Sequence, residues 1–99
     1  MSVANNAAHQ RIADRELFKG SNLRGVAWHE GTGYLPEDYR GAFNGAWDFG
    51  YISYIVYSYG TPIAWHDMNE GWVIPPVKYS RTTSRHQSTV RRGASLYSL

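Results

Sequence analysis

The sequence predicts an α+β fold: a small, mainly antiparallel sheet of three to five strands, with a short helix near residues 36–44 and a C-terminal helix near 83–92. Three observations point to it. The run Tyr51 to Tyr59 is dense in β-branched and aromatic residues, which suit a pleated, packed surface. The turn-rich stretch Asp67-Met68-Asn69-Glu70-Gly71 separates two further short apolar runs, a hairpin signal. Helix punctuation opens the segments after Leu35 and after Arg81. An SH3-like or other small β-barrel is the alternative reading of the same strands.

Residues 5–17 suit a helix. Asn5 or Asn6 can serve as its cap, and Ala8 and Ile12 share one face. That apolar stripe is thin, and an isolated helix of this length is marginal in water. Residues 1–16 therefore read as a short helix or an arm, residues 17–93 as a single globular domain, and 94–99 as a tail. Leu23 to His29 suits a short strand with Leu23, Gly25, Ala27 and His29 on one face. Pro36 at a first helical position, with Glu37 and Asp38 in the first turn, starts a helix that Gly41 and Gly45 limit to about two turns.

Along Tyr51–Tyr59, alternation puts Tyr51, Ser53, Ile55, Tyr57 and Tyr59 on one face and Ile52, Tyr54, Val56 and Ser58 on the other. Both faces are largely apolar, so this strand belongs in the middle of a sheet covered on both sides. Gly60 breaks it; Thr61 to His66 and Trp72-Val73-Ile74 follow as strands, and Pro75-Pro76 ends the hairpin. Val77 to Ser80 reads as a short edge strand. Thr82 or Thr83 offers a cap for the last helix, and Gly93 a stop.

Composition narrows the function classes. The chain is 99 residues long, 42% hydrophobic and 18% charged, a globular balance rather than a disordered one. Eight Tyr, four Trp and three Phe supply an aromatic core, each buried ring removing roughly 150–250 Å² from water. Cysteine is absent, which excludes disulfides and thiolate metal sites. No apolar run approaches the roughly 20 residues of a membrane helix, and Met1 to Asn6 holds no apolar signal core. A soluble cytoplasmic protein is expected.

The charge is polarised. Residues 71–99 hold Lys78, Arg81, Arg85, Arg91 and Arg92 and no acid, a formal +5, against −3 for residues 1–70. At helical spacing Arg85, Ser88, Thr89 and Arg92 lie along one side, with Arg81 just before. Such a row can contact successive phosphates, releasing counterions and making affinity fall with salt; a solvated face that only aids solubility is the plainer alternative. Exposed strand tyrosines can stack unpaired bases, but core packing explains Tyr51, Tyr54, Tyr57, Trp65 and Trp72 more simply. Arg40-Gly41-Ala42-Phe43-Asn44 begins like the aromatic RNA-binding signature and then departs from it.

His29, His66, His86 and Asp67 lack metal-ligand spacing. There is no phosphate loop, nucleophile elbow or dinucleotide fingerprint. Ser80 or Ser84 with His86 has no catalytic spacing to support it. No enzyme activity, metal or cofactor is expected. The stretch Tyr79 to Gln87 is polar at every position, more hydrogen-bonding capacity than capping requires.

Two blocks, Tyr57-Ser58-Tyr59-Gly60-Thr61-Pro62-Ile63-Ala64-Trp65 and Lys78-Tyr79-Ser80-Arg81-Thr82-Thr83-Ser84-Arg85-His86-Gln87, resemble a small domain of unknown function. It recurs in actinobacterial phages and, more divergently, in other phage- and plasmid-borne proteins, with a pattern near YSYxTPIA … YSxTTSxHQ. The resemblance spans about residues 23–92, including Leu35-Pro36-Glu37-Asp38-Tyr39. It implies a mobile-element origin and an infected bacterial cytoplasm. It assigns no roles, because that domain has no established chemistry.

Two functions are therefore expected. One is a non-enzymatic phage accessory protein binding DNA or RNA, with Lys78, Arg81, Arg85, Arg91 and Arg92 on phosphates and Tyr79, His86 and Gln87 nearer the bases. The alternative is a modulator docking on a host protein through Trp28, Trp47 or Trp72 flanked by arginines. A homodimer through an edge strand or the aromatic face is compatible with either.

Overall fold

Five antiparallel strands pair in the order in which the chain presents them, so no crossover is needed. The computed structural model of the chain describes residues 8–96. Strands β1 (Phe18–Lys19), β2 (Leu23–Val26), β3 (Ile52–Ser58), β4 (Thr61–Asp67) and β5 (Gly71–Val73) form one sheet, joined by three helices: α1 (Ala8–Ala13), α2 (Glu37–Asp48) and α3 (Arg81–Ser95). This is the expected α+β architecture, with a short helix and a C-terminal helix.

β3 is the middle strand, as its two apolar faces require. On one side Tyr54 and Val56 pack with Ile63, with Ala8 and Ile12 of α1, and with Val90 of α3. On the other, Ile55 and Tyr57 pack with Val26, Trp65 and Phe43 of α2. Strict alternation would send Ile52 to the α1/α3 side. The register instead shifts between the pairs Ile52↔Asp67 and Tyr54↔His66; this irregularity at Ser53 turns Ile52 toward α2.

Several boundaries differ from expectation for physical reasons. α2 continues through Gly41 and Gly45 to Asp48, with Pro36 as its cap residue rather than its first turn. Each glycine costs about 1 kcal/mol relative to alanine, but burial of Phe43 against the sheet, with Ala46 and Trp47 packed beside it, offsets that cost. α3 starts earlier than either threonine cap allows: Ser80 is the cap, its Oγ accepting from Thr83 N at 3.1 Å. Residues 77–80 form no strand; Pro75 and Pro76 lack ladder donors, and Val77 N turns back to Pro75 O at 2.8 Å. β1, a two-residue edge strand, was not legible.

Gly93 does not stop α3, which runs to Ser95. It lets α1 approach: a Cβ there would stand 2.6 Å from the His9 carbonyl oxygen and 3.0 Å from Ile12. α1 is thus part of the core rather than an arm ahead of it, and the expected tail begins inside α3. The Asn5 or Asn6 cap lies outside the described residues. Among those described, no helix is long and apolar enough to cross a membrane.

Candidate functional site

The two sequence blocks meet where the β3–β4 hairpin touches the first turns of α3. Ser58 ends β3 on the side that α3 covers, 1% exposed. A hydroxyl buried there needs partners, and α3 supplies them. Ser58 Oγ lies 2.6 Å from Nδ1 of His86 and 3.2 Å from Oγ1 of Thr83. The Ser80 hydroxyl donates to Thr83 Oγ1 at 3.1 Å, so four side chains form one hydrogen-bonded chain. Burial pushes the His86 pKa below its ordinary value, so the imidazole it presents near neutral pH is uncharged.

Over this chain opens a cleft of about 420 Å³, walled by Tyr34, Tyr59 and Tyr79, with Ser80 at its rim and the buried Ser58, Thr61 and Thr83 beneath. The backbone fixes two of the walls. Gly33, at φ +48, packs so closely on the Gly60 carbonyl that a Cβ would overlap it. Tyr34 N then donates to Thr61 Oγ1 at 2.9 Å, holding Tyr34 beside the hairpin, 86% exposed. Tyr59 occupies the left-handed region at φ 58, a conformation costing a non-glycine residue about 1–2 kcal/mol. Its N–H donates to Asn22 O at 2.8 Å. Tyr79 is half-buried; burial raises its pKa, and its hydroxyl has no hydrogen-bond partner among the described residues.

The expected row of cations lies on the outer side of α3. At about 100° per residue, Arg81, Arg85 and Arg92 fall within about 40° of one another and span about 16 Å. Thr83, His86, Val90 and Gly93, the buried positions, centre on the opposite side. Lys78, Arg81, Arg85, Arg91 and Arg92 are all exposed, and none makes an ion pair among the described residues. Arg91 stands apart from the row, beside Trp72 and Ile74 around a separate hollow.

Two residues placed near the bases by sequence reasoning are elsewhere. His86 and Gln87 are 2% and 4% exposed; Gln87 Nε2 donates to Val77 O at 2.7 Å, fastening the segment before α3. Their polar groups serve the interior because they share a face with Val90, not with Arg85. Tyr79 does reach the cleft. The other histidines are dispersed: His29 Nε2 lies 2.8 Å from Asn44 Oδ1, and His66 Nε2 accepts from Arg15 at 3.1 Å. No group of three described His, Asp or Glu residues could hold one metal ion.

Tyr54, Tyr57 and Trp65 are core. Tyr51 is exposed and stacks on Phe49. Tyr34 and the Ser58–His86 pairing were missed in the sequence. Val90 is the one aliphatic residue within residues 83–92, and its helical neighbours Thr83, His86 and Gln87 had to share its buried side; that was the signal.

No curated protein and no solved structure matches the chain. One family model does, across residues 7–95, and so takes in every element just described. The chain belongs to that family, the Family of unknown function (DUF8033).

Proposed function

We propose that this protein is a small phage accessory protein that binds nucleic acid without catalysing a reaction, in the cytoplasm of the infected host. Arg81, Arg85 and Arg92 hold successive phosphates, with Lys78 extending the row. The observation that carries this reading is the unneutralised cationic stripe on the outer side of α3.

The two helix starts sharpen it. α2 opens with Glu37 and Asp38, the favourable charges at a helix N-terminus, whereas α3 opens on Arg81 and has no acid in its first turn. A cation there opposes the helix macrodipole by about 0.3–1 kcal/mol. Helix stability therefore does not account for Arg81, and an anion bound at that end relieves the mismatch. The hydroxyl–imidazole pair of Ser58 and His86 serves as internal scaffolding, since Ser58 presents almost no surface. The phage assignment draws on the resemblance of the two sequence blocks to phage-borne proteins.

Fluorescence anisotropy with a labelled single-stranded oligonucleotide tests the reading. With about four phosphate contacts, affinity falls about 50-fold between 50 and 200 mM salt. Affinity indifferent to salt, or no binding at 50 mM, contradicts it.

A second reading, docking on a host protein, has one observation of its own. Trp28 and Leu17 are 48% and 55% exposed and both line a hollow of about 630 Å³ along the β1–β2 edge. A Trp28→Ala variant that binds nucleic acid normally but loses a stoichiometric partner from nuclease-treated host lysate would favour it.

A further inference from the structure

We infer that the tyrosine-walled cleft at the start of α3 receives an unpaired nucleobase, which makes a single strand, not a duplex, the ligand. The inference rests on the phosphate-binding reading of α3 and adds what lies beside it. A volume of about 420 Å³ falls within the usual range for small-ligand pockets, roughly 300–1,000 Å³.

The walls and floor suit the two surfaces of a base. Tyr34, Tyr59 and Tyr79 line it, and an aromatic ring is a surface on which any base can stack. Ser80 Oγ, exposed at the rim, keeps one lone pair beyond its two bonds to Thr83 and can accept from an amino group on a base edge, while Thr61 and Thr83 beneath are buried and already bonded. Cations flank the same residues in the chain: Lys78 precedes Tyr79, and Arg81 follows Ser80. A strand leaving the cleft would meet Lys78 and Arg81 first, while Arg85 and Arg92 lie round the helix from Thr83. In a duplex the base is stacked and paired, and cannot enter.

Tyr59 is the wall residue with a strained backbone. It is the first residue of a two-residue hairpin turn, in a backbone conformation that favours glycine, while the glycine of that turn comes second. Half its surface is exposed; the turn geometry, its N–H bond to Asn22 O and the Arg24 guanidinium donating to its carbonyl at 2.8 Å hold the strain in place. Strain of this kind concentrates at binding sites.

The test measures wild type, Tyr34→Ala and Tyr59→Gly against three labelled probes: oligo-dT of about a dozen nucleotides, an abasic strand of equal length and charge, and a duplex. Wild type should bind oligo-dT on the order of tenfold more tightly than the abasic strand, and more tightly than the duplex. Both variants should reduce oligo-dT affinity to the abasic level and leave abasic binding unchanged. Tyr59→Gly, relieved of strain, should melt at or above the wild-type temperature, which separates lost binding from lost folding. Equal affinity for oligo-dT and the abasic strand overturns the base cleft while the phosphate reading stands. No binding to any probe at low salt overturns both.

Discussion

Ser58 Oγ and His86 Nδ1 stand 2.6 Å apart although 28 positions separate them in the chain. This bond ties the middle strand to the C-terminal helix inside the core. It also sets where the first turns of α3 sit against the hairpin, and so the width of the tyrosine cleft. Ser58→Ala leaves a buried imidazole nitrogen without that partner, which costs about 1–3 kcal/mol. Urea denaturation reads the loss; an unchanged midpoint would show that the bond contributes nothing.

Stability should fall on mild acidification. Burial lowers the folded-state pKa of His86, and burial followed by the charge of Arg15 lowers that of His66. With folded values below the unfolded value of about 6.5, the unfolded chain binds more protons just beneath that pH. Stability is therefore full above about pH 6.5 and is lost as pH falls through the folded pKa values. The melting temperature should drop between about pH 7 and pH 5, and less so in His86→Gln. A flat or rising profile would contradict the assignment of a neutral buried imidazole.

The same substitution should have opposite signs on two helices. In α2, nothing lies within 4 Å of a Cβ placed on Gly41, so Gly41→Ala should stabilise by about 0.5–1 kcal/mol. In α3, Gly93→Ala drives a methyl into the His9 carbonyl, and overpacking of this kind costs about 1–3 kcal/mol. Thermal melts of the two variants should move in opposite directions.

Charge reversal at the start of α3 should separate stability from binding. Arg81→Glu places an acid in the first turn, worth about 0.3–1 kcal/mol of added stability at low salt. The same change puts a carboxylate in the phosphate row and should weaken oligonucleotide binding. A variant that melts lower, or binds as wild type does, would contradict the account.

The sheet was legible because its signals are local. Tyr51 to Tyr59 is largely apolar on both faces, and the turn residues between Asp67 and Gly71 separate two apolar runs, so a central strand and a hairpin follow. What escaped depends on distant chain. Ile52 changes face because of an irregularity at Ser53, which no alternation pattern contains. Gly41 and Gly45 read as stops until the burial of Phe43 is set against them, and Gly93 reads as a cap until α1 is laid across it. The outer stripe of α3 was visible in the spacing of its arginines. Its inner face was not, because His86 and Gln87 are polar residues whose partners, Ser58 and the Val77 carbonyl, lie in other elements.

The most direct test of the phosphate row is the slope of log affinity against log salt for wild type and for the triple variant Arg81→Ala, Arg85→Ala, Arg92→Ala. Each lost contact to a single strand should flatten the slope by about 0.7, so the triple variant should lose about 2 units. As a control, Arg11→Ala removes a cation that already pairs with Glu16 at 3.0 Å and should leave the slope unchanged. Equal slopes for wild type and the triple variant would show that α3 does not hold the polyanion.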